Sequence, residues 1–483
     1  MFEVSWQEDK RKKMLTVADI FEALTNKRPN APQIISEAAV DSRQVIPAAL
    51  FVAMQGEQQD GHIYVEDAFK KGAQAVIVEK NIEITKPVID INNFSLSENN
   101  ISFDQPIVIR VNNSLEAIQK IAAFWRTKLN IRVIGITGSV GKSTTKELVT
   151  EVLSQKFRTL KNTGNLNNEI GLPLTILKMT ESHQRAVLEM GFYVPGEIKL
   201  LCEIANPLVG VITNIGTVHA ERAGSIEAIA KGKAELVEYL PENGTAILNY
   251  DDPWVRPMAE KTKAKILFYG LDPKAHLWAD QIEGLGLQGI RFCLHYKNEQ
   301  LFIRVPLIGQ HSVHTALRAA AVGLVEGLAW QEIIHGLQQG HTQLRLAAVT
   351  TPSGALILDD TYNASPDSVM AALNLLNELQ GDKTAVLGDM LELGLYEKQG
   401  HEMVGVRAAQ VVKRLVTVGE KAKIIAQTAK RSGLAEHKIT SVDTVEEAIK
   451  SLQGTFKKED VVLVKGSHGL HMERIVNALE VDK

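Results

Sequence analysis

An apolar run at residues 131–137, IRVIGIT, breaks directly into Gly138-Ser139-Val140-Gly141-Lys142-Ser143-Thr144, and from about Thr144 an amphipathic helical pattern follows. No other stretch constrains the fold so strongly. A buried strand that ends in a glycine turn and re-enters as a helix implies a mainly parallel sheet with helices on both faces. The turn also carries a chemistry. Backbone N–H groups at a glycine turn and a helix N-terminus favour an anion, and Lys142 adds a mobile positive charge. Ser143 can place its hydroxyl on Mg²⁺. The strict G-x-x-x-x-G-K-[ST] spacing fails, because Ile136 stands where its first glycine is required; the shorter GxxGK[ST] pattern holds. A chance glycine-rich turn would not need the strand, the lysine and the Ser-Thr pair together. Residues 138–144 therefore read as the phosphate loop of a nucleoside-triphosphate site.

Apolar runs divide the rest into three blocks, as the length of 483 residues suggests at about 150 per domain. Residues 1–130 mix short strands (50–54, 75–78, 107–111) with helical patterns and hold no second phosphate loop, so this block is expected to bind a substrate. The polar stretch 81–105 reads as a surface loop. Residues 131–342 continue the strand–helix alternation through 186–190, 208–215 and 245–249. Residues 343–483 repeat it at 355–358, 384–387, 414–418 and 460–464, which predicts a smaller, Rossmann-like doubly wound domain. The expected class is α/β, with three domains and the nucleoside-triphosphate site on the central sheet.

Composition narrows the function by exclusion. The net charge of −4 and the pI near 6.4 lack the basic excess of a nucleic-acid binder. Two cysteines, Cys202 and Cys293, exclude a disulfide framework and suit a reducing cytosol. The first twenty residues, with no apolar core after their basic run, are not expected to act as a signal peptide. The nearest approach to a membrane span, residues 315–330, is interrupted by Arg318 and Glu326 and is too short. A soluble, cytoplasmic, monomeric protein is expected.

Three further residues point toward a metal. Glu189 ends the strand AVLEM, where an α/β sheet keeps its site, although a solvated strand-end glutamate would look the same. His219 follows LVGVITNIGTV and would by itself more often cap a helix or fill a core. The segment 225–240, SIEAIAKGKAELVEYL, is more telling. At about 100° per residue, Ile226, Ile229, Ala230, Val237 and Leu240 form one apolar stripe with Lys233 at its centre. Lys231, Glu235 and Glu238 fall on the opposite side. An ammonium aimed at a core is costly unless paired or neutralised. Either it snorkels to a carboxylate, or it is a modified lysine serving as an anionic metal ligand.

Together with DSRQVIPAALFVAMQGEQQDGH (41–62), TGNLNNEIGLP (163–173), DTYNASPDS (360–368), VLGDMLELG (386–394), His401 and VKGS (464–467), these motifs resemble the Mur ligases. Those enzymes form amide bonds in peptidoglycan precursor synthesis with ATP. The resemblance covers nearly the whole chain after about Met14, and VLGDMLELG points to the branch that joins D-alanyl-D-alanine to UDP-N-acetylmuramoyl-tripeptide. It implies a tripeptide carboxylate activated as an acyl phosphate and then attacked by the dipeptide amine. It further implies uridine-nucleotide contacts at Ser42 and Arg43, and a phosphate and acyl-phosphate region lined by Asn167 and Asn168. Asn249, Arg345 and Asp360 become nucleotide contacts. Ser143 and Glu189 would hold one Mg²⁺, and His219 with a CO₂-derived carbamate on Lys233 would serve a second. Lys142, His219 and Lys233 become the catalytic set.

Several positions depart from the pattern of these ligases. GQHSVHTAL (309–317) has Ser312 and Thr315 where asparagines are usual; Ser365 replaces another asparagine, His468 an arginine and Ala48 a glycine. None removes a phosphate or metal residue. The rival readings are a ligase of the same superfamily acting on other substrates, such as a folylpolyglutamate synthase, and a non-catalytic nucleotide-dependent scaffold.

Overall fold

The structure, a computed structural model, describes residues 14–56, 59–95, 103–218, 220–339 and 347–480. By packing, the chain forms two compact units, one of residues 1–135, 157–191 and 199–208, the other of 136–156, 192–198 and 209–483.

In the first unit β1 (Ala38–Ala39), β2 (Leu50–Val52), β3 (Ala75–Val78), β4 (Val88–Asp90) and β5 (Ile107–Arg110) form a sheet ordered β1-β2-β3-β5-β4. Every pair in it is parallel. The loop expected over 81–105 is thus partly wrong: β4 lies within it, pairing Val88 and Ile89 with Val108 and Ile109. Polar flanks hide a three-residue strand with a single buried side chain. The helix Ser114–Thr127 is capped by the Asn113 side chain and buries Trp125 and Arg126 near its end. Trp125 Nε1 donates to Met179 O at 2.9 Å. The Arg126 guanidinium donates to Ala205 O (3.0 Å), Leu129 O (3.1 Å) and Ile131 O (2.5 Å), tying down the chain just before the next strand. Burial without a carboxylate partner lowers its pKa.

Ala48 sits in this unit at φ +65°, the left-handed region that suits glycine. Its N–H donates to Gly72 O at 2.8 Å, so the turn holds it there. Ala48→Gly is expected to stabilise the protein by about 1 kcal/mol, the cost of a β-carbon in that conformation less the entropy glycine adds to the unfolded chain. A denaturation midpoint at or below the parent's would contradict this.

A nine-stranded sheet follows, ordered β14-β13-β12-β11-β10-β9-β6-β8-β7. Its strands are β6 (Arg132–Thr137), β7 (Thr159–Lys161), β8 (Arg185–Glu189), β9 (Val209–Ile212), β10 (Thr245–Asn249), β11 (Lys265–Gly270), β12 (Leu277–Gly284), β13 (Ile290–Tyr296) and β14 (Glu299–Val305). β9, β10, β11 and β12 pair in parallel in turn, as do β7 and β8, while β13 and β14 add an antiparallel extension. The membrane-like run 315–330 resolves into a 13-residue helix, Val313–Val325, and the start of a second, Trp330–Gln339. Among the described residues no helix is long and apolar enough to cross a membrane.

The last sheet is ordered β15-β16-β20-β17-β18-β19, from β15 (Ala347–Thr350), β16 (Leu356–Asp359), β17 (Asp382–Gly388), β18 (Arg414–Val418), β19 (Ile439–Val442) and β20 (Asp460–Lys465). All pairs but β15–β16 are parallel. Alternate residues feed two cores. Leu358, Ala385, Leu387 and Leu463 pack on one face; Ile357, Val386, Val416 and Val462 pack on the other. This is the doubly wound domain that the strand rhythm predicts.

Candidate active site around the phosphate loop

β6 delivers its last residue, Thr137, into the turn, and the helix Lys142–Ser154 leaves it. Gly138 (φ +146°) and Gly141 (φ +83°) take conformations that other residues rarely adopt, and a β-carbon at Gly138 would lie 1.8 Å from Thr213 Oγ1. The loop is braced from behind by the segment after β9. Val140 N–H donates to Asn214 Oδ1 (2.9 Å), and Asn214 Nδ2 and Thr213 Oγ1 both donate to Val140 O (3.0 and 2.8 Å). Ser139 N–H donates to Asn214 O, and Gly216 N–H donates to Ser139 Oγ. The motif TNIGTVH (213–219), one of those that carry the resemblance, begins with Thr213 and Asn214 but gives them no role.

Lys142 Nζ lies over the loop, donating to Gly138 O (2.9 Å) and Ser139 O (3.1 Å). A cavity of about 210 Å³ opens in front of residues 139–144 and is lined also by Ser312, Thr315, Asp360, Asn363 and Lys465. Asp360 and the buried Lys465 form an ion pair at 2.7 Å, and Lys465 also donates to Asn363 O (2.8 Å). Lys465 belongs to VKGS but is not among the site residues read from sequence; its position at the end of β20 is the available signal.

Lys233 is where the helical spacing puts it. On the helix Ile226–Tyr239 it is 1% exposed, whereas Lys231 is exposed. Its amine donates to Gly138 O at 3.0 Å and sits 4.5 Å from the centre of the Phe192 ring. Neighbouring Gly232 leaves room for that ring, since a β-carbon there would fall 2.1 Å from it. No ion pair joins Lys233 to a carboxylate among the described residues. Burial, then the charge of Lys142, hold its pKa well below the usual lysine range, with Glu197 opposing weakly. Two lysine amines therefore converge on one carbonyl oxygen, and burial shifts the inner one toward deprotonation.

Glu189 is buried within the first unit; its Oε1 accepts from Asn167 Nδ2 at 3.0 Å. Asn162 brackets the Glu189 backbone, donating to its carbonyl (3.0 Å) and accepting from its N–H (2.9 Å). Asn168 accepts from Gly171 N–H (2.9 Å) at the start of the helix Gly171–Leu177. In the same unit Arg43 points into solvent, paired with Asp41, whose pKa its hydrogen bonds lower to about 2. Ser42 is buried beside it, and its carbonyl accepts from Lys71. Asn249 donates to Thr213 O at 3.2 Å and so steadies the brace. His219 and Arg345 lie outside the described residues.

His401 is fully buried: its Nε2 accepts from Met390 N–H and its Nδ1 donates to Glu397 O, which fixes the tautomer and anchors the turn after β17. Burial lowers its pKa, keeping it neutral. The Ser365 departure is structurally benign, because Ser365 caps the helix Pro366–Glu378 reciprocally with Ser368. Ser312 Oγ donates to Ile308 O at 2.7 Å. Asp280, Cys293 and His295 are the one donor trio within 4.8 Å among the described residues; His295 bonds Asp280 (2.8 Å) and stacks on Trp278, a packed pair on β12 and β13.

Three family models match the chain: "Mur ligase family, catalytic domain" over residues 35–126, "Mur ligase middle domain" over 136–323 and "Mur ligase, glutamate ligase domain" over 344–468. A UDP-N-acetylmuramoyl-tripeptide–D-alanyl-D-alanine ligase of Bacillus subtilis is 36% identical over 450 residues, covering 92% of this chain and 93% of its own. A crystal structure of MurF from Acinetobacter baumannii superposes with a TM-score of 0.82 at 30% identity, covering 97% of this chain and 99% of that one. A MurF ligase of Thermotoga maritima in complex with ADP gives 0.79 at 28% identity, with 95% and 98% covered.

Proposed function

The chain belongs to the Mur ligase family, and from that premise we propose that it joins D-alanyl-D-alanine to UDP-N-acetylmuramoyl-tripeptide with cleavage of ATP. The observation that carries the reading is the braced phosphate loop, whose cavity continues onto Asp360, Asn363 and Lys465. Residues 1–130 hold the UDP-linked peptide in this reading, with Ser42 and Arg43 at the uridine nucleotide. Residues 131–342 hold ATP, and 343–483 hold the incoming amine. The protein works as a cytoplasmic monomer; its two cysteines, both free and buried, suit a reducing compartment.

The chemical obstacle is that a carboxylate is a poor electrophile and that two anions must meet. Lys142 and the N–H groups at the start of the helix Lys142–Ser154 neutralise the phosphates and stabilise charge as it moves toward the carboxylate oxygen. The tripeptide carboxylate takes the γ-phosphoryl group to give an acyl phosphate, ADP leaves, and the dipeptide amine then displaces phosphate to form the amide. Excluding water at that stage protects the acyl phosphate from hydrolysis. Asn167 and Asn168 line the acyl-phosphate region, and Asn249, Arg345 and Asp360 serve the nucleotide.

Magnesium, when bound, would supply positive charge that offsets the phosphates. The Ser143 hydroxyl and the Glu189 carboxylate are hard oxygen donors that fit it, and His219 with Lys233 would serve a second ion. For Lys233 the fit requires a change of sign. Its neutral amine can add to CO₂, forming an N–C bond and releasing one proton, which leaves a carbamate whose single negative charge is shared by two oxygens.

Phosphate release should require ATP, Mg²⁺, UDP-N-acetylmuramoyl-tripeptide and D-alanyl-D-alanine together. A coupled assay omitting each in turn checks this. Undiminished release without either peptide substrate would make the protein a plain ATPase; full activity with a folate substrate would favour the folylpolyglutamate rival; binding without any turnover would favour a scaffold.

A further inference from the structure

Arg318 stands in the helix Val313–Val325 among alanines, leucine and valine, and is 3% exposed. Every partner of its guanidinium is neutral. Nε donates to Thr145 Oγ1 (2.8 Å), Nη2 to Thr315 Oγ1 (2.7 Å) and Nη1 to the Tyr269 hydroxyl (3.3 Å). Among the described residues no carboxylate lies within ion-pair distance of it. A buried cation without an anion is among the least favourable arrangements a core can hold.

What lies against it is the phosphate loop. A β-carbon on Gly141 would be 3.2 Å from Arg318 Nη2, so the guanidinium sits directly behind the residue that opens the helix Lys142–Ser154. Thr145 completes the link. Its hydroxyl accepts from Arg318 and donates to Gly141 O (2.6 Å), so the guanidinium orients the hydroxyl that pins the loop. Tyr269 relays the same hold to the brace, donating to Thr213 O at 2.9 Å. Thr315, the departure from asparagine, supplies one of the acceptors of this arginine.

We propose that Arg318 is a positioning residue whose fixed positive charge, held behind the phosphate loop, selects polyphosphate nucleotides by offsetting their charge through the loop. The proposal rests on the ligase reading only in taking the loop's ligand to be ATP or ADP. It accounts for a cation kept dry and unpaired at this place, where its counter-charge is brought by the nucleotide.

The test compares MgADP with AMP by titration calorimetry on the full chain, for Arg318→Gln, Arg318→Met and Arg318→Lys. The neutral variants should bind MgADP about tenfold more weakly, or about 1.4 kcal/mol. AMP should weaken less than threefold, and the lysine variant should stay within threefold of the parent for both. A purely structural role would lower the melting temperature without separating ADP from AMP. Neutral variants that bind ADP as well as the parent, or a lysine variant as weak as they are, would overturn the proposal. Should the neutral variants fail to fold, Tyr269→Phe removes one acceptor, at a residue outside the cavity, and keeps the charge. It too must hold ADP within threefold, and a tenfold loss would assign the effect to hydrogen bonding instead. A parent protein that binds no ADP would sink the ligase reading itself, so the two failures are distinct.

Discussion

Lys233→Ala lowers turnover by about 10³ or more, while Lys231→Ala, two residues away on the exposed side of the same helix, changes it little. The expectation follows from where the amine is held. It reaches the carbonyl of Gly138, has no carboxylate to neutralise it among the described residues, and is kept below the ordinary lysine range by burial and by Lys142. An ammonium there would oppose a metal; a carbamate would attract one. A small carboxylic acid in the assay should therefore restore part of the Lys233→Ala activity, and extra density on the amine in a high-resolution map would show the modification directly. Failure of rescue together with a bare amine in an active, bicarbonate-supplied enzyme would refute it. Stability gives an independent reading. In the unfolded chain the amine stays protonated to about pH 10.4. Between the folded and unfolded pKa values the unfolded state binds more protons, so stability rises with pH across that window and falls as the pH drops toward the folded value. In CO₂-free buffer at pH 7, Lys233→Met should melt above the parent, by a margin that shrinks toward pH 10. A variant that melts lower would mean that the amine's two contacts outweigh its desolvation.

Lys142→Ala should cost about 10² or more in turnover, since one preorganised charge on a transferring phosphoryl group is typically worth that much. The side chain already lies on the loop carbonyls of Gly138 and Ser139, and Lys142 is not among the buried core residues, so the alanine variant loses a charge and two hydrogen bonds at the loop. Its melting temperature should be close to the parent's, which separates this variant from a misfolded one. Glu189→Ala should instead show mainly a raised magnesium requirement. Near-normal turnover in Lys142→Ala would place the phosphate site elsewhere.

Much of the fold and of the site is legible in the sequence because the informative signals are local. A strand running into Gly138-Ser139-Val140-Gly141-Lys142 is read within a dozen residues, and Lys233 betrays itself by helical phase alone. The relationships that are not legible span long separations. Arg318 reads as a charge interrupting an apolar run, because its partners Thr145 and Tyr269 lie 173 and 49 residues away. The brace at Thr213 and Asn214 is equally invisible, since it depends on β9 lying next to β6 in the sheet. β4 escapes because three residues with one buried side chain carry no period, and the antiparallel β13 and β14 lack the helices that mark the parallel strands. Asn168 and Asn249 show the reverse difficulty. A motif names them, but the hydrogen bonds that each makes to nearby backbone are seen only in three dimensions.

The brace behind the phosphate loop has a kinetic meaning. Loops that must order themselves around a ligand bind slowly and lose affinity to the entropy of ordering. Here Ser139 and Val140 already have their N–H groups engaged by Asn214, and Gly141 is held from behind by Thr145, so the mould exists before the nucleotide arrives. Encounter can then proceed at the rate that diffusion and charge allow, without waiting for the chain to rearrange.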